Sequence, residues 1–404
     1  MESPRLIAAL TRITRDVGRA EELAQDALVA ALEQWPREGV PDNPGAWLMQ
    51  AAKHRAVDAL RRGALADRKH EEVLRDARDE EGRGPDLEAK IDDDVGDDLL
   101  RLMFIACHPI LSTDARVALT LRLLSGLTIA EIARAFLTPE PTIQQRIVRA
   151  KKTLADAKVP FELPRGPELG ERLGAVLEVV YLVFNEGYSA TQGDDWMRPA
   201  LCDDALKLGR ILTQLAPNEA EAHGLTALME LQASRARART GPDGAPVLLF
   251  DQDRSKWDPL LISRGLSALS RALELGDGED GPYTLQAGIA ACHARAKTPA
   301  ETDWAQIVGL YGTLAELNPS PVIELNRAVA LSMLMGPEAG LSIVDALTRD
   351  EQLRGYHLLY AVRADLLVKL GRRSEARAEL ERAEALTHNE REKKLLRDRR
   401  SALE

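Results

Sequence analysis

The chain has 404 residues, too many for one core and suited to two or three domains. A formal charge of −11 excludes a uniformly basic nucleic-acid binder, so any such affinity has to come from local patches; 4% aromatics beside abundant Ala, Leu, Arg and Glu favour an all-α chain. There is no run of eighteen apolar residues and no signal peptide, and Cys107, Cys202 and Cys292 are few, far apart and outside any ligand spacing; the expectation is a cytoplasmic chain with free thiols and no membrane partner.

From Arg5 to Trp35 the apolar residues recur at helical spacing, first Leu6, Leu10 and Ile13, then Leu23, Ala27 and Ala31 after an expected break at Gly18. Glu21, Glu22, Gln25 and Asp26 are expected on the solvent side of the second helix, where an acidic face docks a basic partner if it does anything beyond being solvated. The stretch Pro36 to Gly45, PREGVPDNPG, reads as an ordered loop closing on Asn43 as N-cap with Pro44 as the first helical residue. The helix it starts carries Lys53, Arg55, Arg61 and Arg62 against Asp58 alone, a balance that suits a phosphate backbone. Trp47, beside Leu48 at the start of that helix, reads as a core anchor before it reads as a base-stacking platform.

Residues 63 to 98 hold fourteen acidic against six basic side chains and little large apolar surface, the composition of a solvated linker. Helices follow over Leu99 to Cys107 and Thr113 to Leu124, the second capped by Ser112 and closed by Gly126. In SGLTIAEIARAFLTPEPTIQQRIVRAKKTL, Thr128 and Glu131 form a capping box, a short helix ends near Phe136, and a turn at Leu137 and Thr138 leads to Pro139 and Pro141 in the first turn of a second helix. On that helix Ile143, Ile147, Ala150 and Leu154 face inward, while Gln144, Gln145, Arg146, Arg149, Lys151 and Lys152 point elsewhere. This is a helix-turn-helix whose recognition helix offers amides for adenine edges and arginines for guanine or phosphate. Residues 99 to 158 hold nine basic and four acidic side chains, a basic segment inside an acidic protein.

A helical module ending in PDNPGAWLMQAAKHRAVDALRR, an acidic linker, and a module ending in GLTIAEIARAFLTPEPTIQQRIVRAKKTL resemble, in that order, regions 2 and 4 of an extracytoplasmic-function (ECF) sigma factor of the sigma-70 family. The likeness covers residues 5 to 158, and the whole chain is similar to the subgroup with a long tetratricopeptide-like helical extension. Two departures are that the leading helix of region 2 is short or absent and that Thr138-Pro139 replaces the usual apolar-Ser pair of the recognition turn. The resemblance implies domains at 1–62 (region 2), 63–98 (linker), 99–158 (region 4) and 165–404 (extension). It implies that Glu22, Gln25 and Asp26 dock on the β′ clamp helices of core RNA polymerase, with the β flap as a further partner. It implies that the loop from Arg37 to Asn43 captures a flipped base of the minus-10 element, that Arg55, Arg61 and Arg62 contact its phosphates, and that Thr142, Gln144, Gln145, Arg146 and Arg149 read the minus-35 element. A base-capturing loop suits promoter melting, because stacking and edge hydrogen bonds repay about a few kcal/mol of unstacking.

Beyond FELPRGPELG the chain reads as a short helical solenoid. In RADLLVKLGRRSEARAELERAEAL, Ala364, Leu367, Gly371, Ala376, Leu380 and Ala383 fall at the packing positions of a tetratricopeptide unit with Ser374 as a cap. Ala328, Leu331, Gly340 and Val344 fit one unit earlier, helices near Tyr283 to Arg295, Asp303 to Leu317, Glu219 to Arg239 and Pro259 to Leu275 precede them, and a capping helix follows Thr387. Two segments interrupt the repeats, Tyr181 to Arg198 and Pro246 to Asp258. Asp251, Asp253 and Ser255 start like a calcium loop but lack its glycine and terminal glutamate. Glu186 with Asp194, Asp195 or Asp251 has no nucleophile or phosphate loop beside it, so packing and capping are the expected roles. Cys107-His108 and Cys292-His293 make no site, because neighbours on a helix diverge by about 100°. The expectation is therefore a non-enzymatic transcription initiation factor with no catalytic residues, metal or cofactor, whose extension, residues 165–404, acts on it intramolecularly. A helix-turn-helix regulator with a helical sensor domain is the alternative.

Overall fold

The computed structural model describes residues 2–64, 98–164, 167–190, 192–193, 195–242 and 244–403, and these are almost wholly helical. The chain divides into two compact units, Met1–Val180 and Tyr181–Glu404. The expected linker lies outside the described residues except at its edges, where residues 63–64 still belong to one helix and Asp98 already belongs to the next.

In the first unit, α1 (Glu2–Thr14), α2 (Val17–Glu38) and α3 (Pro44–Ala64) pack on one another. Ala20, Ala24, Ala27 and Ala31 let α2 approach its neighbours closely, and Leu6, Leu10, Leu23 and Leu48 fill the space between. The break between α1 and α2 comes at Arg15 and Asp16, earlier than Gly18: Arg15 takes a left-handed φ of 52°, and the Asp16 carboxylate caps α2 by accepting from the Arg19 N–H at 3.0 Å. α2 also runs past Trp35 to Glu38, where the Gly39 N–H, at a φ of 89°, bonds the Trp35 carbonyl. Pro36 stands inside this last turn, where it gives up its own i→i−4 bond, so the expected ten-residue loop shortens and Arg37 stands on a helix.

The rest of the unit holds a helix α4 described over 98–106, α5 (Thr113–Thr120), α6 (Ile129–Ala135), α7 (Glu140–Asp156) and the first part of α8 (Pro167–Tyr188). The expected continuous helix Thr113 to Leu124 instead widens into a π turn over Leu121–Ser125. That turn puts Leu121, Leu123 and Leu124 all in the core before Gly126, at a φ of 72°, ends it. Ser112 occupies the N-cap position of α5 without a side-chain bond. Arg172 of α8 donates to the Phe104 carbonyl at 2.9 Å, and Arg116 of α5 pairs with Glu178 of α8 at 3.1 Å.

In the second unit α9 (Pro199–Leu215), α10 (Ala220–Ala233), α11 (Pro259–Gly276), α12 (Pro282–Arg295), α13 (Trp304–Leu317), α14 (Pro321–Met335), α15 (Pro337–Leu347), α16 (His357–Lys369), α17 (Arg373–Leu386) and α18 (Glu390–Ser401) pack successively on one another. Ala328, Val344, Ala364, Leu367, Ala376, Leu380 and Ala383 share one apolar cluster. A Cβ on Gly340 would come within 2.7 Å of the Ala328 carbonyl, which is why a glycine stands where α14 and α15 touch. Ser374 is not the cap: Arg372 holds the N-cap position of α17 and no side chain caps it. Two short parallel strands, β1 (Gln192–Gly193) and β2 (His388–Asn389), pair Gln192 with His388 and Gly193 with Asn389. They join the first inter-repeat segment to the start of the last helix.

Candidate nucleic-acid and partner-protein interfaces

The helix-turn-helix is built as its sequence dictates. Thr128 accepts from the Glu131 N–H at 3.2 Å while Glu131 accepts from the Thr128 N–H at 2.8 Å, and those bonds hold the Glu131 carboxyl below its ordinary pKa. Leu137 takes the turn at a φ of 47°, Pro139 occupies the N-cap of α7, and Pro141 falls in its first turn. Ile143, Ile147, Ala150 and Leu154 are buried; Thr142, Gln144, Gln145 and Arg149 are exposed along one side. Thr142, Gln145, Arg146 and Arg149 line an open groove of about 400 Å³ that Ser112 and Asp114 close from α5. Arg146 is half-buried there and pairs with Asp114 at 2.9 Å, whereas Arg149 has no carboxylate partner among the described residues. Gln144 lies outside that groove, and Val148 adds an exposed apolar side chain to the same face.

On α2, Glu22, Gln25 and Asp26 are exposed and in helical phase with Val29 and Leu32, which are 52% and 75% exposed. The apolar part of this stripe was not anticipated from the sequence, although its spacing was legible. Glu21 is the correction. Only 5% exposed, it points inward in phase with Ala24 and Leu28, where it accepts from Arg122 Nε at 2.6 Å and pairs with Lys151 of α7. Lys151 therefore does not belong to the open basic face. Arg12 of α1 and Asp98 of α4 make a further ion pair, at 3.4 Å, within the same unit.

Asn43 is the expected cap, its Oδ1 accepting from the Ala46 N–H at 3.0 Å. Trp47 is half-buried and meets Trp35 edge to face at 5.6 Å, which satisfies the anchoring role. Arg55 is half-buried on the following turns, and the side chains of Arg61 and Arg62 lie outside the described residues.

The acids of the two inter-repeat segments are structural where they are described. Glu186 pairs with Arg198, Asp253 accepts from the Ser255 N–H at 3.0 Å, and Asp258 caps α11 through the Leu260 and Leu261 N–H groups at 2.9 and 3.2 Å. Asp194 lies outside the described residues. No cluster of metal-ligating side chains forms among the described residues. All three thiols are buried and free; burial pushes Cys107 up to about 11 and Cys202 up to about 12, so they are inert protonated core groups. His108 is held below its usual pKa by burial and by Arg172.

Residues 1–65 match sigma-70 region 2, residues 101–154 match sigma-70 region 4, and residues 172–273 match a family of unknown function (DUF6596). The chain is 45% identical over 388 residues to an uncharacterized protein of Rhizobium meliloti (strain 1021), covering 96% of this chain and 90% of that one. It is 32% identical over 144 residues to the ECF RNA polymerase sigma factor SigC of Mycobacterium tuberculosis (strain CDC 1551 / Oshkosh), covering 35% of this chain and 72% of that one. A probable RNA polymerase sigma-C factor of Mycobacterium bovis matches to the same extent. With both sigma regions present in order and a helical unit following them, the chain belongs to the extracytoplasmic-function sigma factors of the sigma-70 family, as a member with a C-terminal extension.

Proposed function

We propose that this sigma factor binds core RNA polymerase and directs initiation at its own class of promoters, in the cytoplasm, with residues 1–62 as region 2, 63–98 as linker, 99–158 as region 4 and 165–404 as a modulating extension. The observation that carries the reading is the presence, in one unit, of two open faces of different chemistry. One is the amide- and arginine-bearing side of α7. The other is the stripe on α2 that combines Glu22, Gln25 and Asp26 with Val29 and Leu32. A DNA reader alone needs only the first; a protein that brings an enzyme to DNA needs both. Asn43 and Arg55, with Arg61 and Arg62, contact the minus-10 element, and Thr142, Gln144, Gln145, Arg146 and Arg149 the minus-35 element. Catalysis belongs to the polymerase.

Run-off transcription with purified core polymerase tests the first part: transcripts that depend on this chain are expected, and a chain that binds promoter DNA yet starts none is a repressor or activator instead. Deleting residues 165–404 tests the second. The extension acts at high effective concentration because it is tethered, so transcript yield or polymerase affinity is expected to change; unchanged values for both remove the modulating role.

A further inference from the structure

The second unit holds an open-sided cavity of about 460 Å³ whose walls come from both inter-repeat segments, from α14, from α16 and from the terminal helix α18. That volume is in the range of small-molecule sites. Most of the wall is apolar, including Val247, Leu248, Phe250, Leu358, Val362 and Leu395.

The polar part of the wall is unevenly balanced. Arg239, 8% exposed, has its guanidinium 3.5 Å from the centre of the Tyr188 ring and 4.3 Å from that of Trp196. Arg235, one helical turn earlier, faces the rings of Tyr188 and Trp257 at 5.8 Å each. Arg239 donates to the Tyr188 carbonyl, and neither guanidinium has a carboxylate partner among the described residues. Of the acids of the wall, Asp365 is engaged by Lys369 at 3.0 Å and Arg399 at 3.1 Å, while Glu392 accepts from the Thr387 hydroxyl at 2.7 Å, lies 3.2 Å from His357 Nε2, and reaches Arg239 only through its field. Burial lowers Arg239 to about 10, and burial followed by the positive field of Arg235 and Arg254 lowers the nearby His293 to about 4. Gln252, 7% exposed, lines the cavity beside them, its amide donating to the Val247 carbonyl at 3.1 Å.

We propose that this cavity binds a small amphipathic anion, with its charged head at Arg235 and Arg239 and its apolar body along Val247, Leu248, Phe250 and Leu358. Aromatic faces hold the two guanidiniums while leaving N–H donors for the head, and a single carboxylate or phosphate supplies the missing negative charge. The ligand also ties together the segments that form the wall, α18 included, so occupancy stabilises the extension as a whole.

Titration of the full-length chain with decanoate, decyl phosphate and the neutral decanol below their micellar concentrations, followed by calorimetry, tests this. One saturable site is expected, with at least one of the two anions binding tenfold or more tightly than decanol. Arg235→Gln is expected to weaken the anion at least tenfold and leave decanol unchanged, Arg235→Lys to retain part of the affinity, and Leu248→Glu, at the open edge of the cavity, to weaken all three. Melting curves of these variants, expected to match that of the wild type, check that the unit remains folded. Equal affinity for acids and alcohol, no saturable site for either anion, or unaltered anion binding by Arg235→Gln overturns the proposal. Because the readout is binding alone, failure of the transcription assay leaves it standing, and its failure leaves the transcription reading standing.

Discussion

Glu21 of α2 and Lys151 of α7 form an ion pair, and Arg122 of the π turn completes it at 2.6 Å, so one nearly buried carboxylate links the module matching region 2 to the module matching region 4. A buried carboxylate is stable only while its cations stay with it, which makes this contact all-or-none in character. Glu21→Gln removes the charge but keeps the shape. It is expected to cost about 1.5–3 kcal/mol in urea unfolding of the full chain, the range for hydrogen bonds to charged groups. It is also expected to bring the two modules apart in a distance measurement between labels on α2 and α7. An unchanged midpoint and an unchanged distance would remove Glu21 as the link.

The apolar half of the α2 stripe has its own consequence. Leu32 is 75% exposed, so Leu32→Asp is expected to alter stability by less than about 0.5 kcal/mol. If the stripe is the polymerase-docking face, the same substitution weakens binding to core polymerase at least tenfold, about 1.4 kcal/mol, without affecting the intrinsic fold. Full retention of polymerase affinity assigns docking to another face.

Within the recognition helix the arginines are not equivalent. Arg149 has no carboxylate partner among the described residues while Arg146 is paired with Asp114 at 2.9 Å. Arg149→Ala is expected to weaken promoter binding and to reduce the slope of log affinity against log salt by about 1. Asp114→Asn is expected to act the other way, freeing Arg146 and strengthening binding at low salt. A salt slope untouched by Arg149→Ala takes that residue out of the DNA-facing set.

Asn389 holds the terminal helix in place. Fully buried, it donates through Nδ2 to the Ala190 and Asp195 carbonyls at 3.2 and 3.1 Å and accepts through Oδ1 from the Arg391 and Glu392 N–H groups at 3.0 and 3.3 Å. Asn389→Ala loses a cap and leaves two carbonyls unsatisfied, a cost of about 2–4 kcal/mol. Hydrogen exchange should then accelerate across α18 and the Ala190 segment together; acceleration of α18 alone would show that the cap matters and the cross-link does not.

His293 gives the second unit a pH dependence of known sign. Burial, then Arg235 and Arg254, lower its pKa to about 4, so between that value and the ordinary histidine value of 6.5 the unfolded chain binds a proton that the folded chain does not. Stability therefore rises with pH across that window, is complete above it, and falls by roughly 2–3 kcal/mol as pH drops through it. His293→Asn is expected to flatten the slope in unfolding experiments at pH 4 to 6.5. A wild-type slope in the variant would assign it to other groups.

Local chemistry was legible in the linear chain wherever one residue satisfies a neighbour a few positions away. Thr128 with Glu131, Asn43 with Ala46, and the buried faces of α7 and α17 follow from helical period and from orphan N–H groups near a side chain that can reach them. Element ends were less legible where two terminators compete, as at Asp16 against Gly18 or Gly39 against Pro36.

What the chain alone determined, then, is the succession of helices, the turn that makes α7 a recognition helix, and the order of modules that marks the family. The tertiary structure decided which of the charged residues remain free. Glu21 and Glu22 are adjacent acids, yet one is buried between Arg122 and Lys151 and the other is exposed; Arg146 and Arg149 are one turn apart, yet one is paired and the other open. Arg235 and Arg239 come together with Gln252 and α18 only because the packing of the second unit brings them to one cavity. The physical reason is the same for each ion pair: helical period sets the direction of a side chain, while its partner comes from an element 32 to 130 positions away that only packing brings within hydrogen-bond reach.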